Sequence, residues 1–161
     1  MDERILFRDM TSAEKEAMVS IWKTITGLRR ISYHTKEKMD RLGITMEMVE
    51  ETLRNNHIIE YKLSRGREMR MVLRGVRSYP LWYEWKNYDG SRHSLEYDYC
   101  NVCIVISAFG DLVTVYNSPE RKSRHYSTNY TSSMSDRLRE NLFTVLRIAE
   151  DIYEKKQKSL R

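Results

Sequence analysis

The chain has 161 residues, of which 40% are hydrophobic and 32% charged, with a formal net charge of +5. That length suits one domain, and eleven Tyr, three Trp and three Phe supply bulky core material that a disordered chain lacks. No stretch approaches the ~20 apolar residues of a membrane span, and two Pro with six Gly argue against a linker-rich or repeat architecture.

The opening MDERILFRDM carries acids at once and no apolar run of signal-peptide length, so a cytoplasmic location is expected. Thr11 and Glu14 have capping-box spacing, and Ala13, Met18, Ile21, Trp22 and Ile25 form the apolar stripe of a first helix that Gly27 stops. Residues 28–33 read as a short strand. Thr35 then caps a brief second helix through Lys36, Lys38, Met39 and Arg41, closed by Gly43. Thr45 opens a third, with Met46, Val49 and Leu53 on the buried side and Glu47, Glu50 and Glu51 on the wet side. Its early acids and late Arg54 suit the helix dipole.

From His57 the pattern becomes strand-like. Residues 57–63 and 68–76 read as two strands joined by a turn at 64–67, with Met69, Met71 and Leu73 on one face and Arg70, Val72 and Arg74 on the other. Residues 81–85 and about 94–97 are further strands around a turn at 87–90. The apolar run 102–109 is the expected central strand, and Gly110-Asp111 turns it into the strand 112–116. Residues 120–133 are polar and read as a loop. Ser133 or Ser135 caps a final helix whose stripe is Leu138, Leu142, Val145, Ala149 and Ile152, with the tail EKKQKSLR expected to fray. The order predicts an α+β fold: a twisted, mainly antiparallel sheet with N-terminal helices and a long C-terminal helix.

A sequence pI of about 9.2 leans toward an anionic partner such as nucleic acid. The basic strand pair supplies Lys62, Arg65, Arg67, Arg70, Arg74 and Arg77. Arg70 and Arg74 project from one face and suit a phosphate backbone, the competing reading being a solvated face kept basic for solubility. His34 stands at an element junction, where a residue titrating near neutrality can serve as acid or base, or can simply cap or pack a helix. The loop containing Arg124 and Tyr126 interleaves cations with aromatics, as stacking on unpaired bases requires, or is a plain connection. Cys100 and Cys103 lie three apart, on opposite faces of any strand, which speaks against a disulfide or a shared metal. No nucleotide-binding glycine loop, Ser-His-Asp order, HExxH or EF-hand pattern appears, so neither a cofactor nor a metal is expected.

Ile31-Ser32-Tyr33-His34, then Lys38-Met39, Gly43-Ile44-Thr45 and Val49-Glu50-Glu51, resemble the opening of a family of small bacterial and phage domains similar to RelE and BrnT toxins. The later VCIVIS, the Gly-Asp turn and LVTVY resemble that family's closing strands. The resemblance covers about 31–117 of a single domain spanning 1–161, with helices 11–27 and 134–158 as additions. It implies helices packed on a twisted antiparallel sheet that cuts RNA without metal, and it points to His34, Lys38 and Tyr116. Arg70 joins them from the basic-face argument. The expectation is an RNA-directed toxin domain that attacks through the RNA's own 2′-OH, with an antitoxin or host protein as possible further partner. The alternative is a non-enzymatic phage or mobile-element factor that binds a host protein or nucleic acid.

Overall fold

The computed structural model describes residues 3–63, 68–86, 89–120, 132 and 136–160. It has a six-stranded sheet with helices on one face, the α+β architecture the sequence pattern predicts. The strands are β1 (Glu3–Leu6), β2 (Arg30–Ile31), β3 (Asn56–Leu63), β4 (Met69–Lys86), β5 (His93–Ser107) and β6 (Asp111–Pro119), in the spatial order β1-β3-β4-β5-β6-β2. Every pairing is antiparallel except β2 with β6. The helices are α1 (Ser12–Thr24), α2 (Tyr33–Leu42), α3 (Met46–Arg54) and α4 (Asp136–Ser159). Among the described residues no helix is long and apolar enough to cross a membrane.

Alternation along the strands assigns the two faces. Ile5, Tyr61, Met71, Leu73, Ile104, Ile106 and Val115 lie in register on one face and form the core with Met18 and Ile21 of α1, Leu42 of α2, Val49 of α3 and Leu138 and Leu142 of α4. Thr11 caps α1 in the expected box: its hydroxyl accepts from the Glu14 N–H, and the Glu14 carboxylate accepts from the Thr11 N–H at 2.8 Å. Glu14 is buried and also receives the Arg139 guanidinium of α4, so a single carboxylate caps one helix and ties it to another. The Trp22 indole N–H donates to the Leu53 carbonyl at 2.9 Å, fastening α1 to α3.

Several elements differ from the sequence expectation. β1 is a short edge strand that four residues of pattern could not announce. The segment 28–33 keeps only Arg30–Ile31 as strand, because Ser32 rather than Thr35 caps α2 and draws Tyr33 into the helix. α1 ends at Thr24, before Gly27, and Ala13 is exposed, the buried stripe being Glu14, Ala17, Met18 and Ile21. In α3 Met46 is exposed and Thr52 takes its place beside Val49 and Leu53. α4 runs through Ser159 instead of fraying at the tail, and Ile152 is exposed.

The largest difference is that four anticipated strands are two long ones. β4 continues from Met69 to Lys86 and β5 from His93 to Ser107, pairing from Arg70↔Ser107 to Lys86↔His93. The register slips between Arg74 and Ser78, where Gly75, Val76 and Arg77 bulge opposite Val102. Asn101 repairs the break. Its Nδ2 donates to the Gly75 carbonyl at 3.0 Å and lies 3.4 Å from the carbonyls of Val76 and Arg77, and its Oδ1 accepts from Arg74 Nη2 at 2.9 Å. Gly75 is required here: a Cβ would stand 2.9 Å from Thr52 Oγ1 and 3.2 Å from the Val102 carbonyl oxygen. Beyond Pro119 of β6, β4 and β5 run on as a two-stranded ribbon, and Pro80 fits it because an edge strand has outward N–H groups to spare.

Candidate nucleic-acid interface

The second face of the sheet carries the candidate residues. Register places Arg4, Lys62, Arg70 and Ser107 side by side across β1, β3, β4 and β5. The next row holds Leu6, Glu60, Val72, Val105 and Thr114, and the next His57, Arg74, Cys103 and Tyr116. Two bulges make this possible. Between Ile58 and Glu60 an extra residue enters β3, so His57 and Glu60 share a face that strict alternation would deny them. Between Leu112 and Thr114 the same occurs in β6, turning Thr114 and Tyr116 to this face while Val115 stays in the core.

α2 brings Lys38 to the same face. Past the two-residue β2, the outer edge of β6 has no strand partner among the described residues, and α2 lies along it. The Thr35 hydroxyl donates to the Val113 carbonyl at 3.1 Å, satisfying an edge group at the bulge. One helical step on, Lys38 Nζ reaches Thr114 Oγ1 at 3.4 Å. Gly43 ends the helix in the left-handed region (φ 79°), and Ile44 N–H closes on the Met39 carbonyl.

The sequence-derived candidates thus divide. Lys38, Tyr116 and Arg74 gather around Thr114 and Cys103 at one end of the face. Arg70 and Lys62 belong to the other row, about 13 Å from Arg74 along the strand at ~3.4 Å per residue. Arg70 Nη2 pairs with Glu68 at 3.0 Å, while its Nε is buried without an acceptor among the described residues. Lys62 Nζ lies 4.0 Å from the buried Glu60 carboxylate. His34 is exposed in the first turn of α2 and has no hydrogen-bond partner among the described residues. Arg65, Arg67, Arg124 and Tyr126 lie outside the described residues. Arg4, in the same row as Lys62 and Arg70, was not legible because its strand was not. Among the described residues no three His, Cys, Asp or Glu side chains are grouped to hold a metal ion.

Beneath the cations Leu6, Val72, Val105 and Cys103 are all buried, with the Glu60 carboxylate buried among them. Cys103 looks to this face and Cys100 to the core, and both are free thiols. Burial pushes the Cys103 thiol up to about 11, against the opposing pull of the Arg74 charge and the Tyr116 hydroxyl. Burial, helped by Asp98, pushes Cys100 to about 11 as well. At pH 8 only about one thiol in a thousand is then thiolate, the reactive form. Native protein treated with a disulfide-exchange reagent at that pH should leave both thiols unmodified over minutes, and both should react at once in denaturant. Rapid native labelling of either would contradict this burial.

Comparisons of the chain with protein-family models, with curated proteins and with solved structures gave no match.

Proposed function

We propose that this is an RNA-directed domain of the RelE and BrnT kind, which holds an RNA backbone across the basic face of its sheet. The carrying observation is the convergence of Arg4, Lys62, Arg70, Arg74 and Lys38 on one face from β1, β3, β4 and α2. Adjacent strands put the Arg4, Lys62 and Arg70 backbones about 5 Å apart, so their heads form a cationic strip that Glu68 beside Arg70 and Glu60 beside Lys62 offset in part. Such a strip binds phosphates with little regard to sequence. An RNA target is encountered in the cytoplasm.

For cleavage, the Lys38, Arg74 and Tyr116 end is the better-furnished locus. The 2′-oxygen would attack the adjacent phosphorus and expel the 5′-oxygen, leaving a 2′,3′-cyclic phosphate. Lys38 and Arg74 would neutralise the charge developing on the phosphate, and the Tyr116 hydroxyl would give its proton to the departing 5′-oxygen and recover one from the 2′-OH. Arg70, Lys62 and Arg4, in the row about 13 Å away, would track the backbone on one side of that locus. His34 stands outside this arrangement. Its exposure, with no orienting partner among the described residues, also favours a second reading, in which the domain binds RNA without cutting it.

Anisotropy titration of a labelled single-stranded RNA over a salt series tests the binding. Affinity should fall log-linearly with salt, and Arg70→Ala and Arg74→Ala should each flatten the slope by about 0.7, the value for one phosphate contact on a single strand. No salt-dependent RNA binding would end the proposal. RNA left intact on incubation, with Lys38→Ala and Tyr116→Phe no less toxic on expression than the parent, would end the cleaving form alone. His34→Ala should match the parent in both assays.

A further inference from the structure

Beyond the bulge at 75–77 the basic face does not stop. β5 alternates without interruption from Cys103 through Asn101, so Tyr99, Tyr97, Leu95 and His93 continue the same face onto the ribbon. Their partners in register are Pro80, Trp82, Glu84 and Lys86. The aromatic members are well exposed: Trp82 is 42% exposed, Tyr97 57% and Tyr99 57%. Trp82 and Tyr97 stand edge to face with ring centroids 4.9 Å apart.

The opposite face of the ribbon is closed and anchored. Leu81 and Tyr83 are buried, and the Glu96 carboxylate accepts from the Tyr83 hydroxyl and from the Trp85 indole N–H at 2.8 Å. Asn117 Nδ2 holds the Trp82 carbonyl at 2.7 Å, and Arg41 pairs with Glu84, so α2 and β6 brace the ribbon's base. The exposed rings therefore stand on a stiff support and do not collapse on the core. Nothing in the packing of the described residues explains their exposure.

We infer that Trp82, Tyr97 and Tyr99 form a stacking platform for unpaired bases, which makes single-stranded RNA the ligand class of the proposed interface. The inference rests on the RNA-binding reading above and specifies it. Aromatic rings following a cationic strip on one surface are the two parts of a single-strand site: the cations hold the backbone and the rings take the bases. Bases stacked inside a duplex are not open to rings standing off a sheet. Tyr97 and Tyr99 are two residues apart on one face, about 7 Å, roughly twice the ~3.4 Å rise of a stacked strand. That gap admits one base between two rings. The one acid on this face of the ribbon, Glu84, is neutralised by Arg41, so the platform does not repel a phosphate backbone. Tyrosine and tryptophan patches also serve protein docking, but a patch continuous with Arg74 and Lys38 has the charge that a polyanion requires.

The test uses a labelled oligouridylate and a blunt RNA duplex of equal length, with the full chain. The parent should bind the single strand more tightly than the duplex. Trp82→Ala, Tyr97→Ala and Tyr99→Ala should each weaken single-strand binding about five- to hundred-fold, the range for loss of one stacked base. Each should leave the salt slope unchanged, and Trp82→Phe should retain most of the affinity. Oligouridylate should quench indole fluorescence in the parent and not in Trp82→Phe. Thermal melting of each variant separates lost binding from lost folding, which exposed positions should not provoke. Should all three alanine variants bind like the parent while Arg70→Ala and Arg74→Ala weaken binding, the platform is overturned and the backbone-binding reading stands. Equal affinity for duplex and single strand also overturns it. If the parent binds neither RNA, both fall together.

Discussion

Asn101→Leu is expected to destabilise the protein by about 2–3 kcal/mol, because the buried Gly75 carbonyl and the half-buried Arg74 guanidinium lose their partner at once. Leucine matches asparagine closely in size but supplies no donor. The buried Gly75 carbonyl would be left facing a hydrocarbon, the Arg74 guanidinium would lose its acceptor, and the exposed Val76 and Arg77 segment would lose two long, part-buried contacts. Each unmet buried group costs roughly 1–3 kcal/mol, and no water-sized movement of a bulge wedged against Thr52 restores them. Urea unfolding should show the midpoint falling with little change in slope. Asn101→Asp is the informative companion, since it keeps the acceptor for Arg74 and removes the donors. If Asn101→Leu costs less than about 1 kcal/mol, the bulge is held by something else.

Arg139→Met should destabilise by about 2–4 kcal/mol, because it strands a buried carboxylate. Glu14 has only 3% of its side chain exposed, while Arg139 keeps 30%, so the pair is partly screened and the lower half of the range is the safer expectation. The size of the effect should shrink in context. With Glu14→Gln already present, the amide still accepts from the Thr11 N–H and no charge is left behind, so adding Arg139→Met should cost much less than it does alone. A double-mutant cycle by thermal or urea unfolding measures this coupling. Additive effects of the two changes would show that the ion pair does not join α1 to α4.

Much of this architecture is legible from local pattern. Met69, Met71 and Leu73 against Arg70 and Arg74 announce a strand with one basic face, and the register confirms which side is core. Thr11 with Glu14, and Gly43 at φ 79°, are local signals with local consequences. What escaped is non-local. A reader of residues 74–78 sees Gly, Val and Arg after a strand and ends it there, because the residue that lets β4 continue, Asn101, lies on another strand. Ser32 and Thr35 are both credible caps, and the choice falls to Ser32 because Thr35 is claimed by a carbonyl on β6. The site divides in the same way. The cations of β3 and β4 could be placed on one face from spacing, whereas the arrival of Lys38 beside Thr114 depends on α2 lying along the β6 edge. That residues 81–85 form a strand was plain, but which side chains would be buried with Leu81 and which presented with Trp82 depended on the bulge before them.

The strand order has a consequence for how the chain is assembled during synthesis. β3, β4, β5 and β6 are neighbours in sequence and in space and can zip as successive hairpins. β1 and β2 are made first yet sit at opposite margins of the sheet, where Ile5 must wait for Tyr61 and Arg30 for Asp111. The first thirty or so residues, α1 among them, therefore leave the ribosome well before their partners exist, and they close over a meander that is already formed. Contacts so distant in sequence are the slow ones to make, so the margins of the sheet, Arg4 of the basic strip included, are the last part of the surface to be completed.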